Sequence, residues 1–144
     1  MIEIRSAVAA DAAAVARLLG QLVGYDVAVE AVGGRLRRLA ATGADPVFLA
    51  CDSGIAVGLV ALHFAPMLHY ARPALRITNL VVDHRHRRRG VGRALIVHAE
   101  REAAAAGCEI IELTSVIDNT EAHAFYRSLG FEANSLRFRK LPPG

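Results

Sequence analysis

At 144 residues, 53% of them hydrophobic, the chain is long enough to bury one core and too apolar to be disordered. No apolar run approaches the about 20 residues that span a bilayer, and Met1-Ile2-Glu3-Ile4-Arg5 lacks a signal-peptide pattern, so a cytoplasmic protein with no membrane partner is expected. The net charge of +3 is local: Arg85, Arg87, Arg88, Arg89 and Arg93 contribute five positive charges and leave the rest of the chain net negative, which argues against nucleic acid, whose binders spread basic residues over a face with interleaved aromatics.

Ile2 and Ile4 alternate with polar neighbours, predicting a strand over residues 2–6. A helix follows to about Val23, with Val15, Leu18, Leu19, Leu22 and Val23 on one stripe and Asp11 in its first turn, where a carboxylate suits the helix dipole. Gly24-Tyr25-Asp26 reads as a turn. A second helix is expected from about Val29 to Ala41, with Val32, Leu36 and Leu39 on one face; Gly33-Gly34 inside it cost roughly 1 kcal/mol each relative to alanine. Asp45-Pro46 breaks the chain. A strand over residues 47–51, a turn at Asp52-Ser53-Gly54 and a return strand from Ile55 to Phe64 make a hairpin, and Gly58 inside the return strand marks a bulge. Between Pro66 and Pro73 runs an irregular loop with His69 and Tyr70. A strand from Leu75 to Val82 comes next.

That strand runs into Asp83-His84-Arg85-His86-Arg87-Arg88-Arg89-Gly90-Val91-Gly92-Arg93, and a helical pattern begins at once and continues to about Ala106, with Val91, Leu95, Ala99 and Ala103 in its apolar row and Gly107 as a stop. Strand, arginine-rich loop, glycines and helix start form an anion pocket. The first N–H groups of a helix have no internal partner and sit at the positive end of its dipole, and glycine lets a ligand approach the backbone. Residues 109–115 read as a strand and 120–129 as a helix, with Ala122, Phe125, Tyr126 and Leu129 on one side and Gly130 as its cap. Alternation over 131–133 and 136–140 predicts a chain ending in strand. No repeat or linker divides the sequence, so one domain spanning 1–144 is expected, an α/β or α+β sandwich around one mixed sheet. Cys51 and Cys108 are far apart and read as free thiols in a reducing compartment. No His or Cys cluster has metal-ligand spacing, so no metal is expected.

Two motifs carry a family resemblance. Arg87-x-x-Gly90-x-Gly92 after Val81-Val82 resembles the acyl-CoA pyrophosphate loop of the GNAT N-acetyltransferase superfamily. Asn119, Ala122-His123-Ala124-Phe125-Tyr126 and Leu129-Gly130-Phe131 are similar to its second segment. His84 stands where the family often has proline. The resemblance implies a mixed, mostly antiparallel sheet of about six to seven strands flanked by four helices, and acetyl-CoA as co-substrate. Backbone groups of Leu80, Val81 and Val82 would pair with the pantetheine arm, one N–H of Leu80 or Val81 polarising the thioester. The main chain of Arg87, Arg88, Arg89, Gly90, Val91, Gly92 and Arg93 would hold the pyrophosphate. Asn119 would bond the pantetheine or a water, with Phe125 beside the cofactor, and Tyr126 would protonate the leaving thiolate.

Relatives often carry a glutamate base where this chain has Thr78 or Thr114. His63, His69, His84 and Glu112 remain as candidates, histidine having the right intrinsic pKa, and deprotonation through water or an amine arriving neutral is expected rather than one dedicated base. Tyr25, His63, His69 and Asn79 are the expected acceptor-side residues. The expected activity is acetyl transfer to a primary amine of a small molecule. Alternatives are a protein N-terminal or lysine acetyltransferase, and a non-catalytic acyl-CoA sensor. Phe138-Arg139-Lys140 resembles the ending of aminoglycoside-type members, but Asp26 and Glu30 are the only carboxylates placed near Tyr25 to receive a cationic sugar. Exposed strands near the C-terminus would allow a homodimer.

Overall fold

The computed structural model describes residues 1–144. It resolves into two compact units, Met1–Leu113 and Thr114–Gly144.

The first unit is one five-stranded sheet in the order β1 (Ile2–Ser6), β2 (Val47–Asp52), β3 (Ile55–Ala65), β4 (Ala74–Val82) and β5 (Ile110–Leu113). The first four strands are antiparallel, β2 and β3 joined by a tight hairpin and β3 and β4 by a short loop, and β5 runs parallel to β4 after a helical crossover. Helices α1 (Ala12–Val23) and α2 (Val29–Thr42) join β1 to β2, and α3 (Val91–Ala105) joins β4 to β5. Asp11 stands at the N-terminus of α1. Its carboxylate accepts from the backbone N–H of Val8 at 2.8 Å and from both terminal nitrogens of Arg5 at 2.8 and 2.9 Å, and the Arg5 hydrogen bond holds its pKa below the usual carboxylate range.

Strand alternation assigns the helices to faces. Leu49, Cys51, Leu59 and Val81 join Val15, Leu18, Val32 and Leu36 in one cluster, so α1 and α2 cover that side. Phe48, next to Leu49, meets His98 of α3 with ring centroids 4.3 Å apart, so α3 covers the other. Val91, Leu95, Ala99 and Ala103 are all buried, as their spacing predicts. The stripe on α1 is narrower than its periodicity suggests: Val15 and Leu18 are buried, but Leu22 and Val23 are exposed. No helix is long and apolar enough to cross a membrane.

The strand count corrects the sequence expectation of six to seven. Residues 131–133 and 136–140 form no strand, and Leu136 and Phe138 are exposed. Alternation selects the face a strand would bury but supplies no ladder partner, and without one the backbone gains nothing from extending. The exposed terminal strands that would allow a homodimer are therefore not formed. β5 is also shorter than expected, which leaves Thr114 outside the sheet. The second unit is built around α4 (Thr120–Ser128).

Candidate active site

Two extra residues shape the β3–β4 pair. Ala50 pairs with Gly58 and Cys51 with Ala56, so Val57 is the surplus residue, beside the glycine that predicted a bulge. Further along, Ala61 pairs with Asn79 and Leu62 with Ile77, which makes Thr78 a second surplus residue. A bulge bends and twists its strand. The β4–β5 ladder runs only from Ala74↔Ile110 to Ile77↔Leu113. Beyond the Thr78 bulge, Asn79, Leu80, Val81 and Val82 keep β3 on one side and have no β5 partner on the other, so backbone donors and acceptors are open along that edge.

β4 leads into the arginine loop, which α1 and β3 brace from beneath. The buried Asp83 donates its N–H to the Val57 carbonyl at 2.8 Å. Its carboxylate accepts from the Arg85 N–H at 2.9 Å and from Arg17 of α1 at 2.6 Å, while the other terminal nitrogen of Arg17 reaches the Ala56 carbonyl at 2.7 Å. The Arg85 hydrogen bond, aided by Arg17, holds the Asp83 pKa below the usual range despite burial. Gln21 accepts from the His84 N–H at 3.0 Å. Residues His84–His86 make one 3-10 turn, and the chain turns twice through the left-handed region, at Arg88 (φ 63°) and Gly90 (φ 81°). The second of these is a glycine and opens α3, whose N-terminus has no side-chain cap; the first intrahelical bond is Ala94 N–H to Gly90 carbonyl at 3.0 Å. The N–H groups ahead of it, at Val91, Gly92 and Arg93, are open to an anion. Arg85, Arg87, Arg88, Arg89 and Arg93 are exposed.

Gly58 brings β3 and α3 together here. A Cβ at that position would lie 2.9 Å from Val91 Cγ1 and 3.0 Å from Leu95 Cδ1, so glycine sets how closely the helix start approaches the sheet.

The acceptor-side expectations divide. Directly opposed antiparallel residues share a face, so the pairs Ala61↔Asn79 and His63↔Arg76, with Arg76↔Glu112 beyond, place Asn79, His63, Arg76 and Glu112 on one face. His63 Nδ1 lies 2.5 Å from Asp45 Oδ1. Glu112 is engaged by Arg76 at 2.6 Å. Thr78 is exposed and donates to the Ala61 carbonyl at 3.2 Å. His84 is exposed, 3.7 Å from Asp83. His69 stacks on Tyr70 with ring centroids 4.2 Å apart in the β3–β4 loop, and Tyr25 is exposed between α1 and α2. Neither Tyr25 nor His69 forms a side-chain hydrogen bond or ion pair with the His63 row.

In the second unit Asn119 caps α4, its side-chain carbonyl accepting from the Ala122 N–H at 3.1 Å, which leaves the amide nitrogen free. Tyr126 sits between Phe125 and Phe131, with centroids 5.4 and 5.9 Å away, and burial pushes its hydroxyl pKa up.

Sequence reasoning missed Arg17, Gln21 and Asp45. The first two bond partners more than sixty residues away, and nothing local distinguishes them from other polar residues on a surface helix. Asp45 reads simply as the breaker before Pro46.

Residues 13–131 match the model of the acetyltransferase (GNAT) family. An aminoalkylphosphonate N-acetyltransferase of Salmonella typhimurium is 38% identical over 92 residues, 64% of this chain, and the match spans 60% of that relative's length. A solved structure of a candidate acetyltransferase from Agrobacterium tumefaciens superposes with a TM-score of 0.88 at 28% identity, covering 97% of this chain and 99% of that one. Glucosamine-6-phosphate N-acetyltransferase of Arabidopsis thaliana superposes with a TM-score of 0.84 at 22% identity, covering 98% of each chain, and shares the fold.

Proposed function

The chain belongs to the acetyltransferase (GNAT) family, and from that premise we propose that it transfers the acetyl group of acetyl-CoA to a primary amine of a small molecule by direct attack on the thioester. The observation that carries this reading is a pair of open backbone segments joined by one braced turn, the free edge of Asn79–Val82 and the uncapped start of α3. An extended pantetheine arm needs the first and a pyrophosphate the second. The loop arginines add charge at the phosphate end, and an N–H of Leu80 or Val81 stabilises the developing oxyanion. The small-molecule acceptor is supported by the aminoalkylphosphonate-acetylating relative.

Asn119 has a free amide nitrogen and, by the family resemblance, is assigned to the pantetheine or a water, and Phe125 to the cofactor. Tyr126 is assigned as the acid that protonates the leaving thiolate. A hydroxyl whose pKa is raised by burial keeps its proton at neutral pH until the sulfur takes it. Tyr126→Phe is expected to lower kcat by about a hundredfold or more while leaving acetyl-CoA binding intact, since general-acid contributions are typically 10²–10⁴-fold.

Thermal unfolding with acetyl-CoA, CoA and ATP tests the donor half. A ligand at 100 times its Kd stabilises by about 2.7 kcal/mol, on the order of 9 °C for a domain of this size. A shift with both CoA species and little with ATP is expected. Screening for CoA release against aminoalkylphosphonates, aminoglycosides and lysine-containing peptides tests the acceptor half. Turnover of peptides alone would move the reading to protein acetylation, and binding without turnover to an acyl-CoA sensor.

A further inference from the structure

Neither Thr78 nor Glu112 is placed to act as a base: the Thr78 hydroxyl sits on the bulge and donates to the Ala61 carbonyl, and Glu112 is held by Arg76. What the sheet face offers instead is an imidazole with a carboxylate fixed behind it. We propose that His63 is the general base of the reaction, with Asp45 as its positioning residue, so that this chain deprotonates its acceptor with a histidine–aspartate pair; this rests on the acetyltransferase reading above.

The pair is held by main chain on both sides. The Leu62 N–H donates to the Pro46 carbonyl and the Phe64 N–H to the Ala44 carbonyl, each at 2.9 Å, so Asp45 is held directly beside His63. Thr42 donates to the second carboxylate oxygen of Asp45 at 2.8 Å. That hydrogen bond, before the one from His63, keeps the Asp45 pKa below the usual range. An ionised Asp45 accepts the Nδ1 proton, which fixes the neutral ring with Nε2 as its free lone pair. The ring is half exposed, as an acceptor-facing base must be.

Register puts it within reach. His63 is one same-face position along β3 from Ala61, the partner of Asn79, a step of about 7 Å. Asn79 adjoins Leu80, whose N–H is one of the two assigned to the thioester carbonyl. The Thr78 bulge brings Arg76 and Asn79 onto that same face although they are three apart in sequence. The charged groups facing His63 are Asp45 from the α2–β2 loop and Arg76 from β4, with Glu112 of β5 neutralising Arg76.

The protons balance. The acceptor arrives as R–NH3⁺ and gives one proton to His63 Nε2, which later passes it to solvent. The neutral amine attacks the thioester carbon; the C–N bond forms, the C–S bond breaks, the CoA sulfur takes the hydroxyl proton of Tyr126, and the second nitrogen proton is released to solvent, which reprotonates the tyrosine.

H63Q and D45N, each first shown to retain the acetyl-CoA thermal shift, are assayed in the full chain with 2-aminoethylphosphonate and with an aminooxyalkylphosphonate, whose nucleophile is already neutral at pH 7. H63Q is expected to lose about a hundredfold or more in kcat on the amine, with KM little changed. Its kcat should keep rising with pH where the wild type has reached a plateau, and the loss on the aminooxy compound should be small. D45N is expected to fall between H63Q and the wild type. Full amine activity in H63Q, or an equal loss on both nucleophiles, overturns the base while the acetyltransferase reading stands. No CoA release by the wild type with any primary amine overturns that reading and the base with it.

Discussion

The proposed donor loop and the proposed acceptor face share strands β3 and β4 and are built in opposite ways. The groups proposed to hold the donor's phosphates are backbone N–H groups of one contiguous stretch, Arg87 to Arg93, and the turn that leads into it is braced from below by Arg17, Gln21 and the Val57 carbonyl. The acceptor row takes Asp45, His63, Arg76 and Glu112 from four separate segments and depends on side chains throughout. A backbone site tolerates change in its own side chains and is sensitive to what holds the main chain in shape. A side-chain site behaves in reverse. The contrast suits the proposed chemistry, in which one donor molecule is fixed and the acceptor is chosen by a few groups.

The sharpest way to break this contrast is to remove the brace. Asp83→Ala leaves Arg17 and the Arg85 N–H without their carboxylate. Hydrogen bonds to charged groups contribute about 1.5–3 kcal/mol each, but Arg17 is substantially solvated, so its share is discounted. An expected loss of about 2–3 kcal/mol in urea unfolding, with weaker acetyl-CoA binding, follows. Asp45→Ala, its counterpart on the acceptor side, is more exposed and should cost no more than about 1 kcal/mol, with acetyl-CoA affinity unchanged. Equal effects of the two on acetyl-CoA binding would refute the contrast.

Gly58→Ala tests the approach of α3 to the sheet. In an ordinary strand this change would favour the folded state, because glycine loses more conformational freedom on folding. Here the new methyl meets Val91 and Leu95, both fully buried, and lies 3.3 Å from the Val81 carbonyl. Overpacking of this kind typically costs 1–3 kcal/mol, and the side-chain tips can yield a little, so a net loss of about 1–2 kcal/mol is expected. A variant as stable as the parent would show that the helix start moves freely.

How each region reads in the sequence follows from the same contrast. The loop is legible because its parts are neighbours: a strand end, two glycines spaced by one residue and a helical period. The apolar rows of α2 and α3 were legible for the same local reason, as was the bulge beside Gly58. The Asp45–His63 pair is not, since eighteen residues separate its members and only the β2–β3 register brings them together. The Thr78 bulge likewise depends on how two strands align, and no residue type announces it. The C-terminal alternation misleads in the other direction: residues 136–140 have a strand's pattern and lack the partner that would make it one.

Acid should weaken the brace of the donor loop. The folded Asp83 pKa lies below its ordinary value, as do those of Asp11 and Asp45. A depressed folded pKa stabilises the protein above the unfolded carboxylate value, and that stabilisation is lost as pH falls through the folded one. Stability is therefore expected to be level near neutrality and to decline below about pH 4, with a shallower decline in Asp83→Asn than in the wild type. An unchanged slope in that variant would mean that the Arg17–Asp83 contact contributes little to the fold.

The smallest effects should come from the residues that look most important in the sequence. Arg87 and Arg89 are exposed, and neither forms an ion pair; the one side-chain bond, Arg87 to the Val82 carbonyl, is long at 3.5 Å. Replacing either by alanine should change unfolding free energy by no more than about 0.5 kcal/mol, as for other surface sites. Acetyl-CoA affinity should fall only a few-fold at low salt, and the difference should shrink as salt is raised, because charges on mobile exposed side chains are screened over a Debye length of about 8–10 Å near physiological ionic strength. If the loop binds phosphate chiefly through its backbone, a residual affinity insensitive to both substitutions remains at high salt. If the arginines are themselves the site, Arg87→Ala/Arg89→Ala should abolish the CoA thermal shift at every ionic strength, and the donor half would then be as dependent on side chains as the acceptor half.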